Sequence, residues 1–479
     1  MSEQAIFEEK LIYIKGSSKF FSTNKAVKAT LTENALTWPD GGEDGSRLQS
    51  LLLDDVVGAS ITEPEGDKGM PGFVVNAYPL VGPRGWLAGL KKPRRELQEY
   101  EFACESVATR SRWIKAINNI LSGGRADEEE TIAPRRVQIL LNPQSGKKKG
   151  RQIFEVVRPL LEKSYLQFTV IETRHRGQAR EIVREMDLSA VDGLAIVGGD
   201  GTIHEVINGL TSRADWEEAI LTPIGTIPAG TSNGLSKTLS EISGEPYDPI
   251  SAAFAIAQGK VRSLDLAIAE QNGRRFSAFL SLAWGLIADV DIESDKMRFL
   301  GPIRTDLYAL MRIWNLRSYK GRFSFLPTPP DTPQNPTPKT RHPRIGDVTA
   351  DWDTDFLAPA ANQENKWRAI EDEFILFWAM NVTWATYDIK AAPDAELSDG
   401  AMDVLVVRRG VSKLELLSAL LKSAKGEHIF LPSVEYYKVC SFRLEPLTTR
   451  GILAVDGEPV DYSPIQLQVY KGMARVFCT

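Results

Sequence analysis

A regular alternation of apolar strands and amphipathic helices between residues 134 and 260 most constrains the fold of this 479-residue chain. Buried-type runs such as VQILLN (137–142) alternate with helical runs such as RQIFEVVRPLLEK (151–163). Strands that alternate with helices form a parallel sheet, and ligands bind at the carboxyl ends of its strands. The pattern therefore predicts an α/β domain over residues 134–260, with a binding crevice at one edge of the sheet.

Three glycine-containing turns lie at predicted strand-to-helix junctions: LLNPQSGKKKG (140–150), GGDGTIHE (198–205) and IPAGTSNGLSK (227–237). Backbone N–H groups at the start of a helix attract anions, and glycine lets a phosphate approach the backbone closely. Three such turns converging on one crevice predict a polyphosphate site. The turns fit neither the Walker A motif nor GxGxxG, because Leu141 and His204 occupy glycine positions of those motifs.

Asp200 lies between two glycines at the tip of the second turn. Beside bound phosphates, this carboxylate is placed to accept a proton from an attacking hydroxyl or to hold a Mg²⁺-bound water. The alternative is an aspartate that only forms the turn. Of the residues that follow on the helix, His204 is interpreted as a packing residue. Glu205 is expected to cap the helix or reach the nucleotide.

The region 261–479 is predicted to be β-rich and antiparallel, because its apolar runs resemble strands and helical patterns largely stop. Four acidic residues follow one apolar run with a period of two, which places them on one face of an extended strand: Asp289, Asp291, Glu293 and Asp295. An acidic end on an apolar lining suits an amphiphile with an ammonium group; the alternative is a solvated face. Residues 327–368 are rich in proline and polar residues, and we expect a disordered insertion there.

Residues 1–124 contain short strand-like runs and then an amphipathic helix over 106–121. This order resembles the pleckstrin-homology architecture, and 125–133 is expected to be a linker. The N-terminal domain also carries a basic cluster that suits either anionic lipid or a solvated loop: Lys91, Lys92, Arg94 and Arg95.

Composition narrows the class of protein. The net charge of −6 and the pI near 5.6 argue against a nucleic-acid-binding protein. Three scattered cysteines predict neither a disulfide framework nor a zinc cluster. The acidic start does not resemble a signal peptide, and the most apolar run (276–288) is too short to span a membrane. We therefore expect a cytoplasmic protein that either is soluble or associates with membranes peripherally, from outside.

The turn sequences NPQSGK, GGDGTIHEVINGL and PAGTSNGLSK resemble the nucleotide-binding motifs of the diacylglycerol-kinase-type lipid kinase superfamily. The stretch 279–304, together with YKGRFSFLP, FRLEP and LAVDGE, is similar to the sphingosine kinase family. The resemblance covers roughly residues 137–325 and 375–470. It implies a two-domain lipid kinase fold, with an α/β nucleotide domain and an antiparallel β-sandwich domain for the lipid.

The resemblance also implies roles for individual residues. Asp200 matches the general base, Asp291 the carboxylate that recognises the lipid head group, and Mg²⁺ is expected to be bound through ATP near Asp200 and Asp456 rather than by direct protein ligands. The expected ATP-binding residues are Asn142, Pro143, Gln144, Thr173, Gly198, Gly199, Gly201, Glu205, Gly230, Thr231, Ser232, Arg298, Arg304, Asp456, Gly457 and Glu458. Ser232 stands where the family usually has glycine.

The function implied is ATP-dependent phosphorylation of the primary hydroxyl of sphingoid long-chain bases (sphingosine, dihydrosphingosine or phytosphingosine). The implied partners are the sphingoid base and an anionic membrane surface, and a homodimer stays open. One alternative is a kinase for another acceptor, such as ceramide, diacylglycerol or NAD, against which the acidic run argues. A second is a catalytically weak lipid-binding scaffold; Asp200, Glu205 and Asp456 argue against it, and Ser232 keeps it open.

Overall fold

The computed structural model describes residues 5–15, 23–40, 47–62, 69–82, 93–294, 303–328 and 367–479. The N-terminal part contains a seven-stranded antiparallel sheet in the order β4-β3-β2-β1-β9-β6-β5 and a separate two-stranded pair, β7-β8. Its strands are β1 (Phe7–Lys15), β2 (Thr23–Leu31), β3 (Ala35–Asp40), β4 (Arg47–Leu52), β5 (Val56–Thr62), β6 (Gly72–Ala77), β7 (Leu80–Val81), β8 (Arg94–Arg95) and β9 (Gln98–Ala103).

Helix α1 (Val107–Leu121) closes this sheet, as the sequence predicts. Ser106 caps it by accepting a hydrogen bond from the Thr109 N–H at 3.0 Å. Trp113 is fully buried in a core with aromatic residues of the sheet, whereas Val107, which the periodicity placed on the apolar face, is 55% exposed. The first turn of the helix therefore lies beyond the edge of the core.

The N-terminal part contacts the α/β part through Arg95 of β8, whose side chain is buried, and this corrects one interpretation of the basic cluster. The Arg95 guanidinium binds the Glu245 carboxylate through two nitrogens, contacts Asp55 at 2.9 Å, and stacks on the Phe254 ring. Only 8% of its side chain is exposed. Arg95 is therefore committed to contacts within the chain and is unavailable to a lipid; Lys91 and Lys92 lie outside the described residues.

The α/β part has the predicted alternation. In chain order its elements are β10 (Arg135–Leu141), α2 (Ser145–Lys148), α3 (Gly150–Lys163), β11 (Leu166–Glu172), α4 (Gln178–Glu185), β12 (Gly193–Gly198), α5 (Asp200–Thr211), α6 (Trp216–Ala219), β13 (Ile224–Pro228), α7 (Gly234–Ser243) and α8 (Pro249–Gln258). The strands pair in parallel in the order β11-β10-β12-β13. The apolar side chains of β10, β12 and β13 are buried between helices on both faces, which is why these three strands read as continuous apolar runs, whereas most residues of the edge strand β11 are exposed.

The remaining chain is mostly antiparallel. Its elements are β14 (Val261–Gln271), β15 (Arg274–Ala278), β16 (Ser281–Gly285), α9 (Leu286–Glu293), α10 (Ile303–Trp314), β17 (Tyr319–Pro327), β18 (Arg368–Met380), β19 (Met402–Arg408), α11 (Lys413–Ser423), β20 (Glu435–Pro446), β21 (Leu453–Val455), β22 (Glu458–Val460) and β23 (Ile465–Phe477). The last strand, β23, pairs in parallel with β13 and antiparallel with β14 and β20. The two halves therefore share one continuous 14-stranded sheet.

Among the described residues of this half, the helices α9, α10 and α11 were not predicted. The expectation of an acidic strand over 289–295 is wrong for the described residues, because β16 ends at Gly285 and α9 follows. Gly285 has φ +75°, and a Cβ there would lie 2.5 Å from the Ile375 carbonyl oxygen. This left-handed glycine turns the chain out of the sheet.

The Pro-rich stretch lies almost wholly outside the described residues, which stop at Thr328 and resume at Trp367. Its predicted limits were too wide, because β17 runs to Pro327 and Phe325 pairs with Arg368 of β18. In the part of the chain that the structure describes, no helix is long and apolar enough to span a membrane. The three cysteines are free thiols.

Candidate functional site

The three glycine turns meet at the carboxyl ends of β10, β12 and β13, where they line one cavity. Two of the glycines are needed because the turns pack against each other. A Cβ on Gly230 would lie 2.5 Å from the Gly199 Cα, so these two backbones touch. Gly201 is different: a Cβ there would meet only the Glu458 carboxylate, at 3.6 Å. Close loop packing therefore explains Gly199 and Gly230, and Gly201 leaves open space.

The first turn is tied to the second by Asn142. Its side-chain amide donates to the Thr202 hydroxyl at 3.0 Å and accepts from the Gln144 N–H at 3.0 Å. Thr173, at the end of β11, is buried and bonds the Leu141 carbonyl through its N–H at 2.9 Å. These contacts fix the floor of the cavity beside the turns.

Asp200 begins α5 and lies against the start of α7. Its carboxylate accepts hydrogen bonds from the N–H groups of Gly234 (2.8 Å) and Leu235 (3.4 Å). The side chain is almost fully buried, and this burial raises its pKa from 3.8 to about 6, assisted by the nearby charge of Asp456 and opposed by the backbone N–H groups. At neutral pH the group is therefore ionised and a stronger base than an ordinary aspartate.

The loop 173–177 covers one side of the cavity and is held by Glu205. The two oxygens of this carboxylate accept from the N–H groups of Gly177 (2.8 Å) and Ala179 (3.1 Å). Glu205 therefore caps α4, a neighbouring helix, rather than its own helix α5. From the same loop, Arg176 forms an ion pair with Glu458 across the cavity mouth.

Asp456 lies in the turn between β21 and β22 with a positive φ of 51°, and its side chain has no exposed surface. Its carboxylate accepts hydrogen bonds from three backbone N–H groups of residues 279–281. It also accepts from Nδ1 of His204 at 2.8 Å. The interpretation of His204 as a packing residue is therefore wrong, because its ring is hydrogen-bonded to a buried carboxylate.

The acidic residues of α9 separate into two groups. Asp289 and Glu293, one helical turn apart, face structural partners: Asp289 binds Arg312 at 3.0 Å and Glu293 binds Arg317 at 3.2 Å. Asp291 points elsewhere and lines the cavity, where its Oδ2 lies 3.5 Å from the position of a Cβ on Gly457. Of the described members of the acidic run, Asp291 alone lines the cavity; Asp295 lies outside the described residues.

The cavity has a volume of about 780 Å³ and two chemically different ends. One end carries the glycine turns, Asp200 and the 173–177 loop. The other is enclosed by apolar side chains from the helices and strands of the antiparallel half, among them Leu286, Ile287, Val290, Ala309, Ile313, Leu376, Trp378, Leu405, Val407, Leu416, Leu420 and Val434. Asp291 lines the same cavity and lies on α9, the helix that also contributes Leu286, Ile287 and Val290 to the apolar lining.

Known protein families match both halves. Residues 136–269 match the family described as "Diacylglycerol kinase catalytic domain", and residues 361–478 match "YegS C-terminal NAD kinase beta sandwich-like domain". Sphingosine kinase 1 of Arabidopsis thaliana is 38% identical over 406 residues, covering 79% of this chain and 81% of the relative. Sphingosine kinase 1 of Homo sapiens is 36% identical, covering 71% of this chain and 90% of the relative. The chain belongs to the sphingosine kinase family.

This sphingosine kinase family member is a lipid kinase. A crystal structure of a diacylglycerol kinase from Bacillus anthracis has a similar fold, with a TM-score of 0.51, 21% identity, and coverage of 73% of this chain and 98% of that chain. The predicted fold class is thereby confirmed: an α/β protein with an N-terminal β domain and a lipid kinase core.

Most of the expected site residues of this family member lie around the cavity. Those that line it are Asn142, Gln144, Thr173, Gly199, Asp200, Gly201, Glu205, Gly230, Thr231, Ser232, Asp291, Asp456, Gly457 and Glu458. Pro143 borders an adjoining cleft, and Gly198 is buried at the end of β12. Arg298 lies outside the described residues; Arg304 lies in α10, and its side chain is outside them as well.

Residues 174–176 line the cavity and were missed. They follow β11 directly, so the rule that ligands bind at the carboxyl ends of parallel strands could have found them. The apolar lining from α10 and α11 was also missed, because the region 261–479 was predicted to be antiparallel strands and neither helix was expected there. Ser232 contributes its carbonyl, which accepts from the Tyr387 N–H at 2.8 Å and so ties the third turn to the antiparallel half.

Proposed function

We propose that this lipid kinase transfers the γ-phosphoryl group of ATP to the primary hydroxyl of a sphingoid long-chain base, giving the 1-phosphate. The observation that carries the proposal is the single cavity with two ends, polar at the glycine turns and apolar in the antiparallel half. An amphiphile that places its hydroxyl near Asp200 and its chain among the apolar residues fits this shape. The named relatives, including sphingoid long chain base kinase 4 of Schizosaccharomyces pombe, support a sphingoid acceptor.

Asp291 is proposed to recognise the ammonium group of the base. It is the carboxylate of α9 that lines the cavity, next to the apolar Val290 and Ile292 of the same helix. A carboxylate and an ammonium form charge-assisted hydrogen bonds, which a neutral head group cannot supply. Diacylglycerol and ceramide carry no such cation, so this residue favours a sphingoid base over both.

In the proposed reaction, a carboxylate oxygen of Asp200 accepts the hydroxyl proton as the alkoxide oxygen attacks the γ-phosphorus in line. The bond to the β,γ-bridging oxygen breaks, and ADP leaves. The pKa of about 6 keeps Asp200 ionised at neutral pH while making it a better proton acceptor than an ordinary aspartate. The three turns and the basic loop 174–176 bind the phosphates, so the chain contributes mainly positioning and charge neutralisation.

ATP is proposed to bring Mg²⁺ with it. Among the described residues there is no group of three or more His, Cys, Asp or Glu that could hold a metal ion by itself. The open space beside Gly201, bordered by the Glu458 carboxylate, fits a nucleotide-borne cation with oxygen ligands. Glu458 is the residue we expect to hold it, and the ion would neutralise charge on the transferred phosphoryl group.

Peripheral membrane association is proposed from the outer faces of α10 and α11. These helices line the cavity with Ile313 and Leu420, and they expose large apolar side chains on their other faces. Trp314 is 77% exposed, and Leu421 is 72% exposed. An exposed apolar surface over the entrance region of a lipid site suits contact with a bilayer from the cytoplasmic side.

Incubation of the purified protein with γ-labelled ATP, Mg²⁺ and a lipid panel tests the proposed reaction. We expect label in sphingosine, dihydrosphingosine or phytosphingosine and none in ceramide, diacylglycerol or NAD. Asp200→Asn should reduce turnover at least ~10²-fold, the scale of general base catalysis, while the protein stays folded. Label in a neutral lipid alone would refute the sphingoid assignment, and no product with any acceptor would favour the scaffold alternative.

Flotation with anionic vesicles tests the membrane surface. Trp314→Glu and Leu421→Glu should reduce binding, because they place charge on the apolar faces of α10 and α11. Leu48→Glu is the matched control, since Leu48 is 66% exposed on the N-terminal sheet. Equal loss of binding in all three variants would contradict the proposed surface.

A further inference from the structure

His204 and Asp456 form a buried pair that joins both halves of the chain. Oδ1 of Asp456 accepts from the N–H groups of Leu280 and Ser281, each at 2.9 Å. Oδ2 accepts from the Phe279 N–H at 3.1 Å and from Nδ1 of His204 at 2.8 Å. None of the Asp456 side chain is exposed, and 18% of the His204 side chain is.

These four hydrogen bonds use the acceptor capacity of the carboxylate. An ionised carboxylate offers about four lone-pair sites, and here four donors within the protein occupy them. A Mg²⁺ ion, or a water bound to one, would have to displace a protein donor and leave it buried without a partner, which is costly. The resemblance assigns Asp456 to the ATP region, but its carboxylate is not available there.

The ring of His204 is fixed from its other side as well. The Asn208 side-chain amide lies 3.3 Å from Nε2, and the same amide donates to the Ser277 carbonyl at 2.9 Å. The amide also donates to the His204 backbone carbonyl at 3.0 Å and lies 3.5 Å from Nδ1, so its two N–H groups serve the two carbonyls while its nitrogen packs beside the ring. Asp456 and Asn208 therefore contact the His204 ring at different places, and the pair is part of a connected network rather than an isolated contact.

The segments that this network joins each carry part of the site. His204 lies one helical turn after Asp200 on α5. Residues 279–281 lead through β16 into α9 and Asp291. Asp456 directly precedes Gly457 and Glu458, and its left-handed φ of 51° is a conformation that needs surrounding contacts to hold it.

We propose that His204 and Asp456 are positioning residues that set the general base, the head-group carboxylate and the Glu458 turn relative to one another, without contacting ATP or Mg²⁺. The proposal rests on the proposed function for the identity of those three groups. A displacement of about 1 Å between reacting groups lowers turnover by up to ~10²-fold, so loss of the pair should lower kcat by about 10- to 100-fold. Nucleotide affinity should stay unchanged.

The test compares His204→Phe with His204→Asn. Phenylalanine keeps a ring but removes the donor, whereas the asparagine amide can place an N–H close to the position of Nδ1. We expect His204→Phe to lose kcat by the stated factor and His204→Asn to recover most of it. Calorimetric titration with Mg·ADP should give the same Kd for both variants and for the wild type. Glu458→Gln is the contrasting variant, and its Kd for Mg·ADP should rise.

Asp456→Asn is a further variant. If it does not fold, the comparison of His204→Phe with His204→Asn still decides the test. A kcat for His204→Phe within twofold of wild type would overturn the proposal. So would a Kd for Mg·ADP weakened tenfold in His204→Phe or Asp456→Asn, because it would place the pair in the nucleotide site. If the wild type phosphorylates a different lipid, only the proposed substrate is refuted. The kcat values of the His204 variants and the wild type would then be compared with that lipid as the acceptor.

Discussion

The raised pKa of Asp200 predicts that removing its charge by Asp200→Asn stabilises the protein, while the loss of the proposed base lowers turnover at least ~10²-fold. Burial moves this pKa from 3.8 to about 6, a difference that corresponds to ~3 kcal/mol between the protonated and ionised forms. Since the folded state binds the proton more tightly than the unfolded state, the free energy of unfolding falls as pH rises from 3.8 through about 6. Above that range, the full ~3 kcal/mol is lost. Asp200→Asn has no such ionisation.

The pH dependence separates this effect from the change in hydrogen bonding. Asparagine keeps one acceptor oxygen for the two N–H groups of α7 and loses the other, a cost of ~1 kcal/mol that does not vary with pH. At pH 5 about half of the ionisation cost has been incurred, and at pH 7.5 nearly all of it. The free energy of unfolding of Asp200→Asn, relative to that of the wild type, should therefore increase by ~1.4 kcal/mol between pH 5 and pH 7.5.

Denaturant unfolding at these two pH values measures the free energy of unfolding of the wild type and of Asp200→Asn. The pH dependence of kcat/KM measures how catalysis depends on the ionisation of Asp200. In the wild type, activity should rise with pH and reach half of its maximum near pH 6, where Asp200 loses its proton. Asp265→Asn is a matched control, because Asp265 is also buried with a pKa of about 6 and accepts backbone N–H bonds on both oxygens. It does not line the cavity, so it should show the stability effect with turnover retained.

Two results would refute this reasoning. A folded Asp200→Asn protein with near-normal turnover would exclude Asp200 as the base. A free-energy difference between wild type and Asp200→Asn that is the same at both pH values would show that burial does not raise the pKa.

Four further predictions concern other parts of the chain. Asp291→Asn should raise the KM for sphingosine about tenfold with the KM for ATP unchanged, because Asp291 is exposed within the cavity and its ion pair is partly screened by water; a rise in the KM for ATP alone would move it to the phosphate site. Gly201→Ala should keep its thermal stability but raise the KM for ATP, because the added methyl group enters the open space of the cavity. Gly230→Ala should lower the Tm, because its methyl group meets the Gly199 backbone. Equal Tm values for the two variants would contradict this prediction. Arg95→Met should destabilise the protein by ~3 kcal/mol in denaturant unfolding, since it leaves the half-buried carboxylates of Asp55 and Glu245 without their partner, and an unchanged midpoint would argue against the docked arrangement. Replacing 329–366 with a short Gly/Ser linker should leave activity and Tm unchanged, and loss of the folded protein would show that this segment is structural.

The sequence by itself determined the α/β half and the position of Asp200, the proposed general base. Parallel strands that are buried on both faces read as continuous apolar runs, and glycine turns mark their ends, so β10, β12 and β13 were predicted close to their observed bounds. The rule that such ends converge also placed Asp200 beside the other two glycine turns. These signals are local, because a few consecutive residues decide each of them.

Only the tertiary structure decided which charged side chains are available to ligands. The period-two acidic run fits a strand or a helix equally well over so few residues, and Gly285 settled the outcome through a backbone conformation that sequence spacing does not reveal. Asp289 and Asp291 are chemically identical, yet one binds Arg312 and the other lines the cavity. His204 and Asp456 are 252 positions apart, so nothing in either local sequence indicates that they are hydrogen-bonded to each other. Pairing over such separations is set by how the strands of the two halves join in one sheet, which is a property of the whole chain.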